Sequence, residues 1–184
     1  GHTVSSDGLV WEFTLREGLL FHDGEPVRAR DATASMKRWW RRDSFGQLVA
    51  AVTESLEPVD DRKFQLKLKQ PFPHLLVALS RVGALTCFVM PERFALTDPY
   101  QQVKEMIGSG PYKFVASEFN AGSRAVYEKF DKYVPRAEPA ERTSGGKIAH
   151  FDRITWYTMP DSATAANAMQ AGEMDWWEYT PTDL

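Results

Sequence analysis

An α/β fold, a mixed sheet with flanking helices, is predicted by three observations. Apolar residues alternate with polar ones over residues 10–16 and again over 63–69, the period of a half-buried strand. Between these runs, Ala32, Met36, Trp39 and Trp40 recur at helical spacing. A second helix is framed near the end by Asp161 or Ser162 at its start and Gly172 at its close.

The elements follow in order. In residues 10–16, Trp11, Phe13 and Leu15 form the inward set. Residues 21–26, Phe-His-Asp-Gly-Glu-Pro, read as a turn. Asp31 is expected to cap a helix over 32–42, and Ser44 a short helix over 47–51. Residues 53–59 and 63–69 form a hairpin through Asp60-Asp61, with Phe64, Leu66 and Leu68 inward. Pro73 opens a helix to about Ser80. Residues 86–90 are expected as a short buried strand and 91–95 as a helical turn. After Gly108-Ser109-Gly110-Pro111, residues 112–119 and 124–129 are expected as a second hairpin. Residues 131–147 are a polar loop, 148–158 a strand, 161–172 a helix and 175–179 a last strand.

Composition bounds the class. The chain has 184 residues, of which 43% are hydrophobic and 12% aromatic, which excludes a disordered polypeptide. A compact monomer of this mass buries roughly 70% of its unfolded surface, enough for a real core. The net charge of −3 gives no bulk attraction for nucleic acid. Cys87 is the single cysteine, so no internal disulfide can form. It lies in an apolar run and reads first as a small buried hydrophobe, second as a thiol lining a pocket.

No catalytic constellation emerges. G-x-S-x-G, H-E-x-x-H, G-x-G-x-x-G and the phosphate-loop lysine are all missing from the sequence. Gly108-Ser109-Gly110-Pro111 is a poor phosphate loop, because Pro111 has no N–H and a strand follows it. His22-Asp23 could be a base and its orienter, but neighbours in a turn point apart, so a structural turn is expected. His150 and Asp152 would need a third ligand to hold a metal. Residues 37–42, Lys-Arg-Trp-Trp-Arg-Arg, could stack bases, yet their pattern fits an amphipathic helix with a solvated basic face. Neither metal nor cofactor is expected, and the pattern favours a binding protein over an enzyme.

Residues 11–18, Trp-Glu-Phe-Thr-Leu-Arg-Glu-Gly, run into Phe21-His22-Asp23-Gly24-Glu25-Pro26 and then Ala29-Arg30-Asp31-Ala32. In register follow Pro71-Phe72-Pro73, Met90-Pro91-Glu92-Arg93-Phe94, Gly108-Ser109-Gly110-Pro111-Tyr112, Asp152-Arg153-Ile154, Asp161-Ser162-Ala163-Thr164 and Ala171-Gly172-Glu173-Met174-Asp175. Together these resemble family 5 of the extracellular solute-binding proteins, which serve peptide/nickel-type ABC transporters. Departures are Ala32, where valine is usual, Phe130-Asp131-Lys132-Tyr133, and a longer loop after it.

The resemblance implies part of lobe I of a type II periplasmic-binding-protein fold, with the second lobe absent. Residues 4–108 would be a scaffold subdomain and 109–182 a sheet portion running up to the hinge. It implies a monomeric binding component that captures oligopeptides or similar small polar solutes outside the cytoplasmic membrane. Delivery to ABC permease subunits would follow, with no nucleic-acid partner. The alternative is a sensory or regulatory ligand-binding domain of a larger protein. Register with the nickel-binding branch points to Phe45, Gln47, Thr86 and Cys87 as ligand contacts. That branch carries a basic residue near position 87, so Cys87 argues against nickel-chelate recognition. Trp177 and Tyr179, two apart on the expected last strand, are the further candidates near the hinge.

Overall fold

The computed structural model describes residues 1–81 and 86–178. The chain folds as two units. One takes Gly1–Lys113 and Lys129–His150; the other takes Phe114–Glu128 and the stretch from Phe151 onward.

The first unit is built on four strands: β1 (His2–Val4), β2 (Val10–Thr14), β3 (Thr53–Pro58) and β4 (Lys63–Leu68). Their order is β1-β2-β4-β3, and every neighbouring pair is antiparallel. The register sets Trp11 opposite Leu66, Phe13 opposite Phe64, and Leu56 opposite Leu66. Both predicted inward sets therefore meet on one face. Leu56, Leu66 and Leu68 are buried there, and the Phe13 and Phe64 rings stack at 5.0 Å. Asp60 closes the hairpin by accepting from the backbone N–H groups of Arg62 (2.7 Å) and Lys63 (2.8 Å).

Two longer helices cover this face, α1 (Ala29–Trp40) and α2 (Ser44–Val52). Ala32, Met36 and Trp39 of α1 pack with Val49 of α2 and with Leu75 and Ala78 of the short helix α3 (Leu75–Leu79). The start of α1 differs from expectation. It begins at Ala29, so Asp31 lies inside the first turn rather than at the cap. The buried Asp31 carboxylate reaches back to the N–H of Arg28 (2.8 Å) and across to that of Glu92 (2.7 Å). It thus satisfies orphan donors at the starts of two helices, α1 and α4 (Glu92–Ala95). The cap of α2 is Asp43, which accepts from Gly46 N–H at 3.0 Å, and Ser44 is the first helical residue.

Residues 86–90 form no strand. Ser35 of α1 takes both backbone groups of Met90: its Oγ accepts from Met90 N–H (3.0 Å) and donates to Met90 C=O (3.2 Å). A side chain has replaced the ladder. The basic side of α1 is also more than a solvated face. Arg38 donates to the carbonyls of Thr97 (2.6 Å) and Gln101 (2.8 Å), and Arg42 to that of Pro99 (2.8 Å). The Arg42 guanidinium lies 5.1 Å from the centre of the Tyr100 ring. These arginines hold down residues 94–101.

The second sheet has the order β5-β6-β7, from β5 (Tyr112–Phe114), β6 (Arg124–Lys129) and β7 (Arg153–Tyr157). β5 is shorter than expected because a 3₁₀ turn, Ala116–Glu118, interrupts it. β7 is likewise shorter than residues 148–158, paired only where β6 lies beside it. α5 (Ser162–Gln170) starts on Asp161, whose carboxylate accepts from Thr164 N–H at 2.8 Å. Gly172 leaves it with φ +71°, a left-handed residue just past the helix end. Residues 175–178 are not a strand, because no backbone ladder joins them to β7. No helix among the described residues is long and apolar enough to cross a membrane.

Asp31→Ala is expected to cost about 2–3 kcal/mol, since two partly buried N–H groups lose their acceptor. Asp31→Asn, which keeps one oxygen in place, should cost less. Urea unfolding midpoints of the two variants provide the check.

Candidate binding site

Four of the residues expected to meet ligand belong to the first unit. Phe45 and Gln47 sit in the first turn of α2, Gln47 exposed and Phe45 half-buried. The Phe45 ring meets Phe72 edge-on at 6.5 Å, and Phe72 meets His74 in the same way at 6.3 Å. Thr86 Oγ1 donates to the carbonyl of Arg81 at 3.1 Å. Cys87 is partly buried against the core. Burial, with the negative charge of Asp43 behind it, pushes its thiol up to about 12.

Asp43 and Arg81, which the sequence reading passed over, stand among these residues. The Asp43 side chain is 1% exposed and pairs with Arg81 at 3.2 Å between Nη2 and Oδ2. A second contact joins Arg81 Nη1 to Asp43 Oδ1 at 3.4 Å. The same guanidinium lies 5.8 Å from the centre of the Phe45 ring. One signal could have pointed to Asp43: it is an aspartate directly before Ser-Phe-Gly-Gln, three residues ahead of a glycine N–H.

Trp177 belongs to the second unit. It lines an open pocket of about 470 Å³ with Thr155, Met159, Met169, Met174 and Trp176 among its walls. The Trp156 and Trp176 rings meet there at 5.7 Å. Because residues 175–178 are not a strand, the argument that Trp177 and Tyr179 share a face loses its basis. Tyr179 lies outside the described residues.

His22 and Asp23 point apart, as a turn requires. Asp23 Oδ2 accepts from Arg93 at 2.5 Å. Burial opposes ionisation of Asp23, but that hydrogen bond and the arginine charge prevail, holding it below its usual value. His22 instead bridges to the Gly-Ser-Gly-Pro segment. Gly108 N–H donates to Nδ1 at 3.3 Å, which leaves the ring proton on Nε2, 3.1 Å from the Gly110 carbonyl. The Phe130 ring packs against the imidazole at 5.2 Å. Both ring nitrogens are committed to backbone, and burial holds His22 below its usual value against the opposing pull of Gly110 and Asp23. Among the described residues, no three His, Cys, Asp or Glu side chains gather to hold a metal ion.

Phe45, Arg81 and Cys87 thus gather around Asp43: a ring against the guanidinium, the guanidinium on the carboxylate, and a thiol kept protonated by burial. The chain belongs to the bacterial extracellular solute-binding proteins, family 5, whose middle-region model matches residues 1–184. It is 39% identical over 183 residues to a probable peptide ABC transporter periplasmic-binding protein of Sinorhizobium fredii, covering 98% of this chain and 34% of that one. It is 30% identical over 175 residues to a glutathione-binding protein of Pectobacterium atrosepticum, covering 94% of this chain and 31% of that protein. In fold it resembles an Agrobacterium tumefaciens periplasmic binding protein solved with agropinic acid, with a TM-score of 0.74 and 24% identity. That match covers 95% of this chain and 33% of the solved one. The chain therefore spans about a third of the length of the relatives it matches.

Two outcomes are expected. The folded state of His22 resists protonation while the unfolded state takes a proton near 6.5, so its contribution is complete above that pH. It is lost as pH falls below 6.5. Urea unfolding from about pH 8 down to about pH 5 should show this slope, and His22→Gln should flatten it. Cys87 should alkylate slowly at about pH 8, at least a hundredfold slower in folded protein than in urea, because its thiolate is scarce. Mass-spectrometric labelling with iodoacetamide measures the ratio.

Proposed function

We propose that this chain is the lobe I portion of the substrate-binding component of an ABC importer. It captures oligopeptides or similar small polar solutes outside the cytoplasmic membrane and passes them to the permease subunits. The observation that carries this reading is the family match over residues 1–184. The likeness to a probable peptide-transporter binding protein supports the peptide class.

Phe45, Gln47, Thr86 and Cys87 are the first group of ligand contacts, and Trp177 with Tyr179 the second. The local chemistry fits capture rather than conversion. Cys87 carries a protonated thiol, and His22 has given both nitrogens to the backbone. Neither is free to act as a nucleophile or base. Such a component works as a monomer, without cofactor or metal. Closure on a solute requires that the closed state bind it better than the open one, so affinity needs both lobes.

The test is native mass spectrometry of the whole protein that contains this chain, purified without denaturation. A peptide or small polar solute held in one-to-one ratio is the expected result. A protein that carries no solute and takes up none from a panel of di- to pentapeptides and small polar acids would overturn the reading. The 184-residue chain alone should bind the same solutes far more weakly, as titration calorimetry would register.

A further inference from the structure

We propose that Arg81 selects the ligand of this site, and that it selects for a carboxylate. The inference rests on the reading above, which places the ligand beside Phe45, Thr86 and Cys87. It goes beyond that reading by naming the group that must be present on the ligand and the residue that reads it.

Three observations converge on Arg81. The first is an asymmetry of burial within its ion pair. The Asp43 side chain is 1% exposed, whereas that of Arg81 is 36% exposed. The acid is sealed into the fold and the base is not. A buried carboxylate with one oxygen on Gly46 N–H and both on the guanidinium fixes the orientation of that guanidinium. The second is the Phe45 ring, 5.8 Å from the guanidinium carbon, which Phe72 supports edge-on. Ring and carboxylate together restrict the plane of the fork. The third is the hydroxyl of Thr86, which anchors the Arg81 main-chain carbonyl at 3.1 Å. Side chain and backbone of Arg81 are thus both restrained before any ligand arrives.

Nη1 and Nη2 face Asp43, so a ligand carboxylate would take the guanidinium's other edge, Nε–H with the second Nη2–H, in two parallel hydrogen bonds that a lysine cannot make. Of the described residues named beside Arg81, Asp43 is the charged one: Phe45 and Thr86 carry no charge, and the Cys87 thiol stays protonated. The ligand class is a small molecule ending in a carboxylate. The free C-terminus of a short peptide and a non-peptide carboxylic acid present the same group, and the experiment separates them.

The experiment is titration calorimetry on the whole protein that contains this chain. The probes are trialanine with a free C-terminus, trialanine amide and succinate. The acid should bind at least about tenfold more tightly than the amide, as expected for one charge-assisted pair. Arg81→Gln should abolish that difference, and Arg81→Lys should retain only part of it. Because Arg81→Gln leaves the buried Asp43 charge unpaired, the double variant Asp43→Asn with Arg81→Gln restores neutrality. It should melt near the parent and still fail to distinguish acid from amide. Equal affinity for acid and amide in the parent, or undiminished discrimination in both Gln variants, overturns the role of Arg81 and leaves the transport reading intact. Succinate binding that depends on Arg81, with no peptide bound, supports Arg81 and overturns the peptide class. Binding of none of the three overturns both.

Discussion

The first unit turns on one buried carboxylate, that of Asp43. Its backbone N–H closes the end of α1 on the Trp39 carbonyl at 3.0 Å, and its side chain opens α2 through Gly46. The same side chain draws in Arg81, 38 residues further along. Two helices and a returning segment therefore meet on three atoms of a single residue, its backbone nitrogen and its two carboxylate oxygens. The junction leaves little room for a side chain at position 46. A Cβ there would stand 3.0 Å from the Trp40 Cα and 3.1 Å from the Trp39 carbonyl oxygen. Both are backbone atoms at the end of α1, so glycine eases the close approach of the two helices rather than supplying a special φ. An uncompensated charge buried this deeply would cost several kcal/mol, which is why the Arg81 contact is part of the fold.

Asp31 performs a related task at the other end of α1. Its carboxylate joins the first turns of α1 and α4, just as Asp43 joins the last turn of α1 to α2. Ser35 lies between them and holds Met90. Three buried polar residues on one helix, Asp31, Ser35 and Asp43 just beyond its end, thus organise residues 81–95 wherever they are described. The apolar stripe of the same helix, Ala32, Met36 and Trp39, faces the sheet. One face supplies the burial that drives folding, and the other supplies directional bonds that fix where the irregular segments lie.

This division explains what could be read from the sequence. Elements set by apolar period were legible: β2, β4, their inward sets and the hairpin turn at Asp60 all follow from alternation and turn chemistry. So was α5, since Asp161 and Gly172 are local signals. Elements set by distant partners were not. Residues 86–90 look like a buried strand, but Ser35 occupies the backbone of Met90, and nothing local announces a bond 55 residues away. Residues 175–178 have strand-like aromatics but no neighbouring ladder. Asp31 and Ser44 were read as caps because both residue types cap helices well. The true starts fell elsewhere, because Asp31 works from the third helical position and Asp43 outcompetes Ser44. Of the candidate site, the residues proposed to meet ligand came through resemblance, whereas the Asp43–Arg81 pair depends on tertiary contact alone.

The two histidine–glycine contacts carry the same lesson into function. Phe21-His22-Asp23-Gly24 and Gly108-Ser109-Gly110-Pro111 look, as strings, like a base with its orienter and a phosphate loop. In the fold they bind one another, imidazole to backbone, and Asp23 turns away to Arg93. A histidine that accepts from one amide and donates to a carbonyl two residues on is a fixed tautomer, useful as a strut and unsuited to proton transfer. The side chains near Asp43 are likewise restrained: the Phe45 ring against the Arg81 guanidinium, the Thr86 hydroxyl on the Arg81 carbonyl, and the Cys87 thiol kept protonated by burial. The Thr86 hydroxyl has spent its one proton on the Arg81 carbonyl, so it anchors backbone rather than offering a donor. In the binding role proposed above such rigidity would help, because each side chain already ordered lowers the entropy lost when solute arrives.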